Sequence, residues 1–236
     1  MWGAVGWVVG WALNALAYEL PRGHALAWPR CGQCERRVGP RQLTSLPLRR
    51  TGRCAVCAAP VVSFATSLEL PTAVLFLLLA WRYGLSPALL ACSAFTAILL
   101  LVLVIDLRHR WVYGVVCYPG VLLGILLSPW AGPGFLWALL GALAGGGLFF
   151  VLYWVGRLLY RGQEPMGSGD ITIATLIGAM VGLQHVLPAL FFGGAMVAVI
   201  SVALLALRRA STRTFLPYGA GLCAGAILVL LLPDGS

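Results

Sequence analysis

Ile98-Leu99-Leu100-Leu101-Val102-Leu103-Val104-Ile105-Asp106 decides the fold class. Eight consecutive aliphatic residues show neither the alternation of a half-exposed strand nor the polar stripe of a surface helix. The run reaches back to Pro87, so residues 87–106 supply the roughly 20 apolar residues needed to cross a bilayer as a helix. Comparable runs recur at about 2–20, 66–83, 111–130, 133–156, 170–187, 187–207 and 214–232. Between them stand Tyr83-Gly84-Leu85-Ser86-Pro87, Ser128-Pro129, Gly132-Pro133-Gly134 and Pro188, all with turn chemistry. The chain therefore reads as an all-α polytopic membrane protein of about eight transmembrane helices.

Composition agrees. Hydrophobic residues make up 61% and charged residues 10%, and mean hydropathy is +0.93. Soluble domains run near 45–50% apolar and about 25% charged. Disorder, a collagen-like chain, a secreted disulfide scaffold and an ordinary soluble enzyme are excluded. All sixteen basic residues are Arg, against seven acids. That excess suggests orientation in a membrane rather than nucleic-acid binding, since no aromatic-studded basic helix accompanies it.

With the N-terminus outside, the loop after the first span is cytoplasmic and carries Arg22, Arg30, Arg36, Arg37, Arg41, Arg49, Arg50 and Arg53. The later inner loops take Arg108, Arg110, Arg157, Arg161, Arg208, Arg209 and Arg213. Only Arg82 is left outside, which follows the positive-inside rule. Merging the spans that meet at Pro188 would send the last Arg cluster outside. The first span has no Arg before residue 22, so it reads as a retained helix rather than a cleaved signal. The chain divides into a first helix (1–20), a cytoplasmic module (21–63) and a seven-helix membrane domain (64–236). The small-residue string from Gly141 to Gly147 suits close helix packing.

The module carries Cys31-Gly32-Gln33-Cys34 and Cys54-Ala55-Val56-Cys57, separated by the 19 residues 35–53. That spacing is expected of a zinc ribbon, in which two thiolate pairs complete a tetrahedral site. About forty residues is also too few for an apolar core to hold alone. Disulfides suit the cytoplasmic side poorly, and redox chemistry needs one pair rather than two. Cys92, Cys117 and Cys223 stand singly in apolar runs and read as small buried hydrophobes. His24, His109 and His185 lack metal-ligand spacing, and Trp2, Trp81, Trp111 and Trp130 fall near span ends as interface anchors.

Two carboxylates belong to the membrane runs. Asp106 closes one, and Asp170 follows Gly167-Ser168-Gly169 and opens another. By the topology above they share one depth, at the cytoplasmic ends of two helices. Asp106 alone could pair with Arg108 or Arg110, and Asp170 alone could cap its helix. Together they read as a dyad sharing one proton, in which one carboxylate activates water and the other polarises a carbonyl. Helix polarity would make Asp170, at an N-terminus, the base and Asp106, at a C-terminus, the acid. Gly167 and Gly169 would allow unusual backbone angles or a close approach.

These residues resemble the prepilin (type IV) leader peptidases, a family of membrane aspartic proteases. Gly10-Trp11-Ala12-Leu13-Asn14 leading to Leu20-Pro21 is similar to the family's opening stretch, and Leu48-Arg49-Arg50-Thr51-Gly52-Arg53-Cys54 to its approach to the second knuckle. Ile105-Asp106-Leu107 and Glu164-Pro165-Met166-Gly167-Ser168-Gly169-Asp170 resemble its two aspartate motifs, and Leu216-Pro217-Tyr218-Gly219 a later segment. The resemblance implies Asp106 and Asp170 as the catalytic pair. It implies cleavage of the short basic leader of type IV prepilin or pseudopilin precursors at the cytoplasmic face of a prokaryotic inner membrane. Many members also N-methylate the new terminus with S-adenosylmethionine. Three positions depart from the family: Glu19 stands for Arg, Tyr113 for Pro and Thr172 for Lys. Pro188-Ala189-Leu190 matches the late motif of presenilin-like proteases but falls at the opposite depth from Asp170. A peptidase without methyltransferase activity is one alternative, and a non-catalytic zinc-ribbon assembly factor is another.

Overall fold

The computed structural model describes residues 1–20, 30–31, 33–39, 53–54, 56–59, 68–109, 112, 114–159, 167–207 and 217–232. Much of the module at 21–63, together with Arg110, Trp111, Tyr113, residues 160–166 and Leu216, lies outside them. The described residues form seven helices and no strand beyond an isolated pairing of Arg30 with Arg37. The helices are α1 (Trp2–Glu19), α2 (Glu69–Tyr83), α3 (Pro87–His109), α4 (Gly114–Ala131), α5 (Phe135–Leu159), α6 (Ser168–Ala206) and α7 (Tyr218–Leu231). Among the described residues α3, α4, α5 and α6 are long and apolar enough to cross a membrane, and α7 is a shorter apolar helix. The chain divides into two compact units, Met1–Gly84 and Leu85–Ser236.

In the first unit α1 and α2 pack through glycines three and four residues apart. A Cβ on Gly6 would lie 2.7 Å from the Thr72 carbonyl oxygen, and one on Gly10 2.5 Å from that of Leu68. Only a residue without a side chain permits that approach. One turn on from Gly10, Asn14 is buried, and its Oδ1 accepts the Leu68 N–H at 2.9 Å. Leu68 is the N-cap residue of α2, which has no side-chain cap of its own, so the Asn14 amide satisfies a donor at that helix start. The Gly10–Asn14 stretch thus ties two helices together.

The second unit is apolar both at its centre and on its exterior, unlike a soluble domain. Phe95, Leu99, Ile173, Leu176, Ile177, Met180 and Leu222 are fully buried at its centre, while Leu143, Phe150, Leu158, Phe191 and Val199 face outward. So wide an apolar exterior suits lipid contact. Trp81, in the first unit, is 88% exposed, and Trp130 is exposed as well. Cys92, Cys117 and Cys223 are buried, as their apolar settings predict, and no disulfide joins any of the seven cysteines.

One predicted boundary is corrected. The runs 170–187 and 187–207 are two helical segments that meet at Gly182 (φ 76°, ψ 171°), not at Pro188. A straight helix would separate Ala174 from Val186 by about 18 Å. Yet a Cβ on Gly145 would touch the Ala174 carbonyl and lie 3.1 Å from Val186 Cγ2. Ile173, near the start of α6, also meets Gly219 at the start of α7. The chain therefore doubles back at Gly182, giving segments 168–181 and 183–206. Positive φ is the reason for glycine there, and Pro133 packs directly over it. The predicted boundary between these two runs thus moves from Pro188 to Gly182, and α6 holds two helical segments.

The tightest packing is between α5 and α6, where a Cβ on Gly178 would overlap the Gly141 carbonyl. Gly178→Val is expected to cost on the order of 1–3 kcal/mol by overpacking. Thermal unfolding in detergent checks this, with Gly147→Ala, where no atom lies within 4 Å of an added Cβ, as the comparison.

Candidate active site

Asp106 lies in the last turn of α3 and is 6% exposed. Its Oδ2 accepts the Ala220 N–H at 2.7 Å, across 114 residues of sequence. Ala220 belongs to the first turn of α7, where backbone N–H groups have no intrahelical partner. Gly219 lies flush against the same carboxylate. A Cβ there would sit 3.1 Å from Asp106 Oδ2 and 2.5 Å from Ile173 Cδ1.

Asp170 lies three residues before Ile173, and so on nearly the same helix face. It occupies the third position of α6 rather than the cap, which is Gly167, and its own N–H donates to the Gly167 carbonyl at 3.1 Å. The carboxyl groups of Asp106 and Asp170 lie within electrostatic range of each other. Tyr218 is within range of Asp170 and packs on Phe149, with ring centroids 6.3 Å apart.

The two glycines before Asp170 separate in role. A Cβ on Gly169 would collide with Val112, 2.5 Å from its Cγ2, so the chain leaving α3 closes directly onto the start of α6. Gly167 has φ −67°, and a Cβ there would make only ordinary contact, 3.9 Å from Asp170 Oδ2. Neither has positive φ. The expected close approach is met at Gly169 alone, and unusual backbone angles at neither. The division of roles from helix polarity also loses its basis. Asp106 does end α3, but it meets the N-terminus of α7 as well, so both acids stand at helix N-termini.

The first unit gathers the four predicted cysteines. Cys31, Cys34, Cys54 and Cys57 hold their sulfurs all within 4.8 Å, with Cys31–Cys57 at 3.4 Å and Cys34–Cys54 at 3.6 Å. Tetrahedral zinc at about 2.3 Å from each sulfur needs sulfurs about 3.8 Å apart, so the set fits the ion. The knuckles repeat each other. Cys31 N–H donates to the Arg36 carbonyl and Cys54 N–H to that of Ala59, each at 2.8 Å. Glu35 and Ala58, each following a knuckle's second cysteine, both have positive φ.

Backbone N–H groups of Gln33 and Cys34 hold the Cys31 thiol down at about 6, and those of Cys57 and Val56 lower Cys54. The Ala59 N–H also pulls on Cys57, but the Cys31 thiol and burial outweigh it and push Cys57 up to about 12. Two sulfurs ionise readily and two hold protons that a cation would displace. The knuckles pack against Trp11, Ala15 and Tyr18, one face of α1, and Glu19 Oε1 accepts the Arg30 N–H at 3.0 Å beside the first knuckle.

The geometry joins two comparisons with known proteins. The family model for the type IV leader peptidase family matches residues 93–202, and that for the bacterial peptidase A24 N-terminal domain matches 4–83. The prepilin leader peptidase/N-methyltransferase of Pseudomonas aeruginosa is 31% identical over 88% of this chain and 71% of its own. The chain belongs to the type IV leader peptidase family. The prepilin leader peptidase/N-methyltransferase of Pseudomonas putida is 29% identical, covering 96% of this chain and 88% of its own. A type 4 prepilin-like proteins leader peptide-processing enzyme of Escherichia coli is 30% identical over 93% and 78%. No solved structure matches significantly.

Residue patterns singled out both aspartates, which stand at helix ends, and the four cysteines, whose sulfurs cluster. They gave no sign that the Ala220 N–H meets Asp106, because a backbone N–H leaves no side-chain signal. The nearest clue was Leu216-Pro217-Tyr218-Gly219, quoted above without a role. Among apolar helices and leader-peptidase relatives, the chain stands as a bacterial membrane protein.

Proposed function

We propose that this protein cleaves the leader of prepilin-like precursors, with Asp106 and Asp170 as an aspartic dyad. The observation that carries the reading is the buried Asp106 carboxylate, held by α7 and within electrostatic range of Asp170. Family membership and the names of the relatives support the substrate class. In this mechanism one carboxylate removes a proton from water as the oxygen attacks the scissile carbonyl. The other donates its proton to the carbonyl oxygen. Collapse of the tetrahedral intermediate breaks the C–N bond and passes a proton to the leaving amine, so one water is consumed per bond. Neither a metal nor a covalent intermediate takes part in the step.

The Arg distribution supports an eight-span topology with the N-terminus outside and the module cytoplasmic, in the inner membrane. The fold-back at Gly182 agrees with it, since it counts 168–181 and 183–206 as two passes. The dyad then lies at the cytoplasmic face, where a precursor's basic leader meets its hydrophobic helix. Zinc in the Cys31–Cys34–Cys54–Cys57 set is structural, since four thiolates leave it no open position. The paired names of the relatives support N-methylation of the new terminus as a second activity, with S-adenosylmethionine as donor.

Incubation of the reconstituted enzyme with a prepilin-type precursor tests both parts. Mass spectrometry is expected to show the precursor shortened by its leader, with a methyl increment when S-adenosylmethionine is added. Cleavage without the increment removes the second activity, and an uncut precursor removes the first.

A further inference from the structure

The first turn of α7 lies against both acids. Pro217-Tyr218-Gly219-Ala220 is an apolar stretch with no side chain suited to acid–base work except the Tyr218 phenol, yet it meets the dyad at three successive residues. Tyr218 is within electrostatic range of Asp170. Gly219 fills the space between the Asp106 carboxylate and Ile173. Ala220 donates its N–H to Asp106 Oδ2 at 2.7 Å. The contact is built from two distant pieces of chain, and it is buried on both sides: Asp106 is 6% exposed and Ala220 5%.

We infer that the α7 first turn is a positioning element of the peptidase, in which the Ala220 backbone N–H orients the Asp106 carboxylate for attack. This rests on the dyad reading above. A carboxyl side chain at a helix end can rotate about two bonds. Binding one oxygen to a rigid backbone donor, with Gly219 packed against the same group, holds the carboxylate plane. Because Ala220 stands in the first turn, its N–H is not needed by the helix. The helix therefore lends that donor without losing a bond of its own. Gly219 is required for the approach, since any Cβ would enter the space of Asp106 and Ile173. The role is one of positioning: Ala220 acts through Asp106 and touches no substrate atom in this assignment.

The test replaces Ala220 with L-lactic acid by nonsense suppression in the full-length protein, so that an ester oxygen stands where the N–H was. Loss of one hydrogen bond to a charged group is expected to lower kcat on a prepilin-type precursor about 10- to 100-fold. KM is expected to stay unchanged. Glycolic acid at Gly221 places an ester in the same turn away from Asp106 and serves as the control for general weakening of α7. Wild-type kcat in the Ala220 ester while Asp106→Asn is inactive would overturn this inference and leave the dyad standing. An equal fall in the Gly221 ester would overturn it too. Full activity of Asp106→Asn itself would remove the dyad reading, and this inference with it.

Discussion

Asp106→Asn and Asp170→Asn are each expected to lower leader cleavage about 10²- to 10⁴-fold, the range for removing a positioned acid or base. Asparagine keeps the size of the side chain. At position 106 its amide oxygen can still accept the Ala220 N–H, so the α3–α7 contact survives and only proton transfer is lost. The two residues act on one bond as a unit, and the double variant is therefore expected to be no slower than the worse single variant. Rates of precursor cleavage, measured beside membrane insertion and zinc content, check this. Normal insertion and zinc with lost cleavage is the expected pattern. Retained cleavage by either variant would reject the dyad. A non-catalytic assembly factor would show no cleavage in the wild type either.

The second large effect concerns the metal set. Cys31→Ser or Cys54→Ser is expected to reduce bound zinc from about one ion per chain to near zero after dialysis against a chelator. These are the two sulfurs that backbone N–H groups help to ionise. Structural zinc carries an apparent binding free energy of about 10–16 kcal/mol near neutral pH in small modules. Removing one of four thiolates forfeits a large part of that, and a module this short has little apolar core to replace it. The packing of the knuckles on Trp11, Ala15 and Tyr18 is expected to loosen with the metal, seen as faster proteolysis after Glu19. Cys92→Ser, Cys117→Ser and Cys223→Ser are expected to leave the zinc content unchanged, since those sulfurs lie outside the set. Full zinc occupancy in Cys31→Ser would reject the four-sulfur site.

The cysteine set was legible because thiol spacing in a short polar segment has few other uses. The knuckles add what spacing could not, namely matched backbone bonds and positive φ at Glu35 and Ala58. The two aspartates were legible because carboxylates beside long apolar runs are costly and few. Gly182 was not. It is one of 29 glycines, and apolar helices carry glycine freely. Pro188 looked the stronger breaker, yet it stays within the helix, without the N–H that would point toward residue 184.

Chain order and residue chemistry therefore determined by themselves the helical membrane class, the pair of acids and the four sulfurs, because each follows from local composition and spacing. Tertiary structure alone decided where α6 turns back and that α7 meets Asp106. A positive φ at one glycine depends on what packs over it, here Pro133. A backbone N–H is identical at every non-proline residue, so only the meeting of chain segments 114 residues apart makes one of them part of the site.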